Sequence, residues 1–120
     1  MAHALIIGDD GHSSGRVEAQ LWASGYSSVA HAWSESDAWD SIACRRPAVI
    51  VLLAEPGCSP PVDALSRLSR AADAPVVVAA RGRQQALACI GNGASLEGPY
   101  PLEHMDEAVR TGEAVLVAAS

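Results

Sequence analysis

The sequence predicts a three-layer, doubly wound α/β domain whose central sheet is parallel. Three observations carry that expectation. Apolar runs with no polar alternation, above all Ala48–Ala54 (AVIVLLA) and Pro75–Ala80 (PVVVAA), read as strands covered on both faces, as parallel sheets are. Segments with helical spacing of apolar residues separate these runs, so strand and helix alternate along the whole chain, with right-handed crossovers. The length, 120 residues of which 49% are hydrophobic, suits one domain with its own core, spanning residues 1–120.

Each element has a local reason. His3–Gly8 (HALIIG) is a short apolar run that ends at Asp9-Asp10 and reads as a buried strand. A helix capped by Ser13 or Ser14 runs to about Ser24, with Val17, Leu21 and Trp22 on one face and Gly25 as its stop. Val29–Trp33 is a shorter strand. Ser34–Asp37 has N-cap chemistry, and Ala38, Trp39, Ile42 and Ala43 form the apolar face of the helix that follows. Arg45 and Arg46 suit the negative end of its dipole, and Pro47 ends it before the strand Ala48–Ala54. Glu55–Pro61 (EPGCSPP) is a loop. Leu65 and Leu68 mark a helix over Val62–Ala72, and Pro75–Ala80 is the next strand. A short helix over Gln84–Gly91 and a short last strand over Ala94–Glu97 are expected. Pro99-Tyr-Pro101 then leads into a final helix that presents Leu102, Met105, Ala108 and Val109.

Composition narrows the function. Eight Lys+Arg, with no Lys among them, against 14 Asp+Glu give a net charge of −6, which repels phosphate backbones and argues against nucleic-acid binding. Cys44, Cys58 and Cys89 are widely spaced, and the four histidines are scattered, so no zinc-type spacing occurs. The apolar run at the N-terminus is too short for a signal-peptide core or a membrane span, and the expected location is the cytoplasm. Trp22, Trp33 and Trp39 are expected mainly as packing residues. His12, Arg81 and Arg83 read as solvated surface groups, and nothing beside Cys58 in sequence would lower its thiol pKa. Ligand sites in parallel sheets lie beyond the carboxyl ends of the strands. Asp9, Asp10, Glu55, Ala79–Ala80 and Glu97–Pro99 fall there.

These landmarks together resemble the receiver domain of two-component response regulators. The acidic pair after the first strand, Gly25-Tyr26 after the first helix, PAVIVLLAEPG, APVVVAARG and GNGASLEGPYPLEHM occur in receiver order over about residues 3–112. The resemblance implies a flavodoxin-like, five-stranded parallel sheet in the order 2-1-3-4-5. It also implies a site in which an aspartate at the end of strand three takes a phosphoryl group from a histidine kinase. Acids after strand one hold Mg²⁺ there, a hydroxyl follows strand four, and a lysine follows strand five. Matched position by position, the acceptor falls on Leu53 counted from Pro47, or on Leu52 counted back from Pro56-Gly57. The hydroxyl position is Ala79, or Ala80 in the shifted register. The lysine position is Gly98, and the aromatic that accompanies phosphorylation in receivers corresponds to Ser95. The acid pair alone is kept, as Asp9-Asp10 or, one residue earlier, Gly8-Asp9.

Leucine cannot act as a carboxylate nucleophile, and glycine offers no cation. The resemblance therefore implies a pseudo-receiver: a non-enzymatic interaction module with a protein partner in a signalling pathway. No cofactor is expected, because two carboxylates without a third ligand bind Mg²⁺ weakly. In receivers the last helices and strand often form dimer contacts, and the apolar tail Ala114–Ala118 extends past them, so a homodimer is one expected assembly. Two alternatives stay open. One is a small-ligand site or enzyme on the same fold, although neither G-x-G-x-x-G nor a phosphate loop is present. The other is a receiver phosphorylated at an unusual acid.

Overall fold

A computed structural model describes residues 2–8, 11–54, 62–80, 85–90, 95–101, 107 and 109–110. In chain order the elements are β1 (His3–Ile7), α1 (Gly11–Ala23), β2 (Ser28–Ala32), α2 (Glu35–Cys44), β3 (Val49–Ala54), α3 (Val62–Ala72), β4 (Val76–Ala80), β5 (Gln85–Ile90) and β6 (Ser95–Pro101). One sheet holds the six described strands in the order β2-β1-β3-β4-β5-β6. The first four are parallel, in the order 2-1-3-4 that the sequence predicts.

Alternation within the parallel strands separates two core layers. Ala4, Ile6, Val49, Val51, Val77 and Ala79 turn to one face, where Val17 and Leu21 of α1 and Val109 cover them. Leu5, Ile7, Ile50, Val76 and Val78 turn to the other, beneath Ala38 of α2 and Leu68 and Ala72 of α3. Unbroken apolar strands are thus explained by cover on both sides.

Helix ends follow sequence chemistry. Ser34 caps α2 by accepting a hydrogen bond from the Asp37 amide at 3.2 Å. After α1, Gly25 adopts φ +100°, and the amides of Gly25 and Tyr26 close back onto the carbonyls of Trp22 and Leu21. That paired closure is a Schellman stop, and its left-handed residue favours glycine.

The chain departs from expectation after β4. Gln84–Gly91 was expected to be helical, but Gln85–Ile90 is a strand that pairs antiparallel with β4, and β6 pairs antiparallel with β5. The fifth parallel strand expected beside β4 is replaced by this hairpin. An apolar run of five residues, Ala86–Ile90, fits either a helix or a strand, and pairing with the otherwise open edge of β4 satisfies backbone groups a helix would leave there. A hairpin signal was present in the sequence: Gly91-Asn92-Gly93 separates the two strands, and Asn-Gly is favoured hairpin-turn chemistry. Opposite Leu87, β6 carries two residues, Gly98 and Pro99, because Ala86 pairs with Tyr100 and Ala88 with Glu97. Such a bulge on an edge strand accommodates a proline, which has no amide to donate.

The tryptophans also depart from expectation. Trp22, Trp33 and Trp39 are 48%, 66% and 37% exposed. Trp22 and Trp39 donate their indole N–H to Glu18 and Glu35, one helical turn earlier, at 3.3 and 3.4 Å. Glu18 also meets His31 of β2 at 3.3 Å, whereas Glu35 meets Arg67 of α3 at 3.7 Å, so the polar tips of Trp22 and Trp39 are tied to acids at the surface on different sides of the fold.

At the amino ends of the strands His3 is buried, and its Nδ1 lies 2.9 Å from Ser28 Oγ. Ser28 Oγ in turn accepts a hydrogen bond from Arg45 at 3.2 Å, which leaves its own proton for a neutral His3. Burial, then the charge of Arg45, lowers the His3 pKa below 6.5, against a weaker upward pull from Ser28. The unfolded chain therefore binds a proton first as pH falls. The contribution of His3 to stability is complete above about pH 6.5 and declines as pH drops from there toward the folded pKa. Thermal midpoints measured between pH 8 and pH 5 should fall on acidification, and His3→Ala should flatten that part of the profile. An unchanged slope in the variant would assign the acid sensitivity to other groups.

Candidate functional site at the carboxyl ends of the strands

The strand register decides which residues meet where the parallel strands end. Ile7 pairs with Leu52, and Leu53 pairs with Ala79, so Gly8 follows β1 directly beside Leu53. The Gly8 amide donates to the Ala32 carbonyl of β2 at 2.9 Å, which anchors the exit of β1. Gly8 has φ +141°, and a Cβ there would lie 2.8 Å from Leu53 Cβ and 3.3 Å from its Cγ and Cδ1. The leucine side chain thus sits tight against bare backbone, in space that only a glycine leaves open.

Leu53 is half-buried and packs on the α1 side of the sheet, against the layer that contains Ala79 and Val109. Leu52 points the other way, toward the layer under α2 and α3. Alternation separates the two alternatives left by the sequence: Leu53, not Leu52, shares a face with Ala79 and touches Gly8. Ala79 is 3% exposed. The described floor of the site is therefore Gly8, Leu53 and Ala79, a surface without a side-chain oxygen or nitrogen.

Gly98 is not brought to this floor. It lies in β6, with β5 between it and β4, so roughly 10 Å of sheet separates it from the strand of Ala79 and about 14 Å from that of Leu53. Ser95 begins the same strand. Asp9, Asp10, Glu55, Cys58, Arg81 and Arg83 lie outside the described residues. Among the described residues no three His, Cys, Asp or Glu side chains come together as metal ligands. Mg²⁺ takes oxygen ligands, and Gly8, Leu53 and Ala79 offer no side-chain oxygen; the acids expected to hold it, Asp9 and Asp10, lie outside the described residues. No helix among the described residues is long and apolar enough to cross a membrane.

With this geometry established, comparison with solved structures gives one firm likeness. The receiver domain of NtrC4 from Aquifex aeolicus superimposes with a TM-score of 0.61, over 100% of both chains, at 18% sequence identity. The chain has a receiver-like fold. No protein-family model matches the sequence, and no curated protein does. Strands β2-β1-β3-β4 keep the parallel order expected for receivers, whereas the antiparallel β5–β6 hairpin departs from it.

What sequence reasoning missed at the site is Gly8. The sequence offers it only as an alternative member of the acid pair, whereas its backbone and the Leu53 side chain are fitted to one another. The signal was available: a glycine directly after the apolar run of the first strand.

Proposed function

We propose that this chain is a receiver-fold interaction module in a cytoplasmic signalling pathway, a single domain that binds a protein partner and takes no phosphoryl group. The observation that carries this reading is the packing of Leu53 onto Gly8, opposite Ala79. Phosphoryl transfer depends on positioning and charge neutralisation around an oxygen nucleophile. The position that corresponds to the nucleophile in receivers holds a hydrocarbon, packed against the Gly8 backbone. The alanine next to it has no hydroxyl, and the position corresponding to the lysine is a glycine two strands removed. On this reading the module is not an enzyme and needs no cofactor; it influences a partner through its surface. Fold alone leaves function open, so the site carries the weight.

The test is intact-mass spectrometry after incubation with Mg²⁺ and a small phosphodonor or a histidine kinase. The expected result is an unchanged mass. A single added phosphoryl group mapped to Asp9, Asp10 or Glu55 would overturn the reading and favour a receiver with a displaced acceptor.

A further inference from the structure

The two edges of the sheet are treated differently. At β6 the chain places Pro99, Pro101 and a bulge, devices that prevent another strand from pairing. At the other edge β2 reads Ser-Val-Ala-His-Ala, with no proline, glycine or acidic or basic (Arg/Lys) residue, and no described strand lies beyond it. The Gly8 amide bonds to Ala32, which pairs with Ile7, so Ala32 and Ala30 turn their peptide groups toward β1. Val29 and His31 consequently turn theirs outward. Beside this open edge stands Trp33, at 66% the most exposed large apolar side chain among the described residues.

Charge is also polarised along the edge. Arg45 sits at the start of β2, hydrogen-bonded to Ser28 Oγ at 3.2 Å. Asp37 sits at its end, where its carboxylate accepts the Trp33 amide at 3.3 Å. An antiparallel neighbour related by a two-fold axis reverses this order, and so sets acid against base at both ends. A second copy of this chain is such a neighbour; a foreign strand has no reason to carry the same pair at the same spacing.

We propose that β2 pairs antiparallel with β2 of a second copy, centred on Ala30, to join the two sheets into one. In that register Val29 exchanges both peptide hydrogen bonds with His31 of the partner subunit, which uses every outward backbone group of the strand. Trp33 falls opposite Ser27 of the partner subunit, within reach of Arg45 of the partner subunit, whose guanidinium suits an indole face. Asp37 approaches that same guanidinium. The interface is isologous and closes at two subunits. It does not depend on whether the strand-three site accepts phosphate.

Charge reversal tests this without relying on a fold-breaking variant. Sedimentation velocity on the full chain should show a concentration-dependent dimer. Arg45→Glu and Asp37→Arg each place like charges at both ends of the homodimer, and each should raise its dissociation constant roughly tenfold or more. An equal mixture of the two variants restores both opposite-charge contacts in the heterodimer, so dimer mass should return on mixing. His31→Pro, which removes an outward donor and leaves the β1 ladder intact, should be monomeric while remaining folded by circular dichroism. A wild-type chain that stays monomeric up to its solubility limit would overturn the proposal and leave the edge to a strand from another protein. Dimers that persist in both charge variants, or variants that mixing fails to restore, would overturn it equally.

Discussion

Replacing Leu53 by Asp should lower the stability of the fold by about 3 kcal/mol and still leave the protein unable to take a phosphoryl group efficiently. The figure combines the lost contacts of a half-buried leucine with the cost of placing a carboxylate against apolar neighbours. The new carboxyl would face Gly8 and Ala79 with neither a cation nor a hydroxyl among the described neighbours, so its pKa should rise. Urea unfolding at pH 7 and pH 5 measures both effects, because the penalty should shrink at the lower pH as the carboxyl protonates. Leu53→Asn provides the uncharged comparison and should lack that pH dependence. A neutral effect on stability would mean that Leu53 is not packed as described. Rapid acyl-phosphate formation in the Asp variant would mean that the remaining positions suffice for the chemistry.

Gly8→Ala should be more damaging, by about 4 kcal/mol. Two separate penalties act at this residue. A side chain at φ +141° occupies backbone space that is nearly reserved for glycine, at roughly 1–3 kcal/mol. Its Cβ would also meet Leu53 Cβ at 2.8 Å, a collision with a rigid part of the side chain rather than a flexible tip, and overpacking of this kind costs about 1–3 kcal/mol. The double variant Gly8→Ala/Leu53→Ala separates the two only partly, since the Leu53 Cβ remains. Gly8→Ala/Leu53→Gly removes the collision entirely. Relative to Leu53→Gly alone, the added penalty of Gly8→Ala should fall to the backbone term. If the alanine costs the same in both backgrounds, contact with Leu53 contributes nothing.

Much of the fold was legible because burial on both faces leaves a plain mark: the apolar runs Ala48–Ala54 and Pro75–Ala80, set off by prolines and rich in valine, contain β3 and β4, which pair parallel with one another. Ser34 and Gly25 marked helix ends through chemistry that acts within a few residues. The region after β4 was less legible. Gln85–Ile90 has no decisive periodicity, and its strand conformation depends on an edge that is distant in sequence. The tryptophans differ from expectation for a related reason: helical spacing places Trp22 and Trp39 near apolar faces of α1 and α2 but does not fix whether a neighbouring element covers them. At the site, the residue types were readable, whereas the fit of Leu53 to Gly8 required the register.

The split between parallel and antiparallel pairing also bears on how the chain reaches this structure. His3 pairs with Ser28 and Ala4 with Val49, partners 25 and 45 positions apart, whereas Ile90 pairs with Ser95 across five. Parallel pairs must await closure of long loops, while a hairpin of this size forms in roughly 1–10 μs. During synthesis the order is reversed: the slow, non-local strands emerge first, and the fast hairpin last. Until it arrives, the valine-rich β4 has one unpaired edge, the kind of apolar, β-branched template that recruits other chains. The β5–β6 hairpin thus acts as a late-added cover, and its proline-bearing outer strand passes on no new edge in exchange for the one it closes.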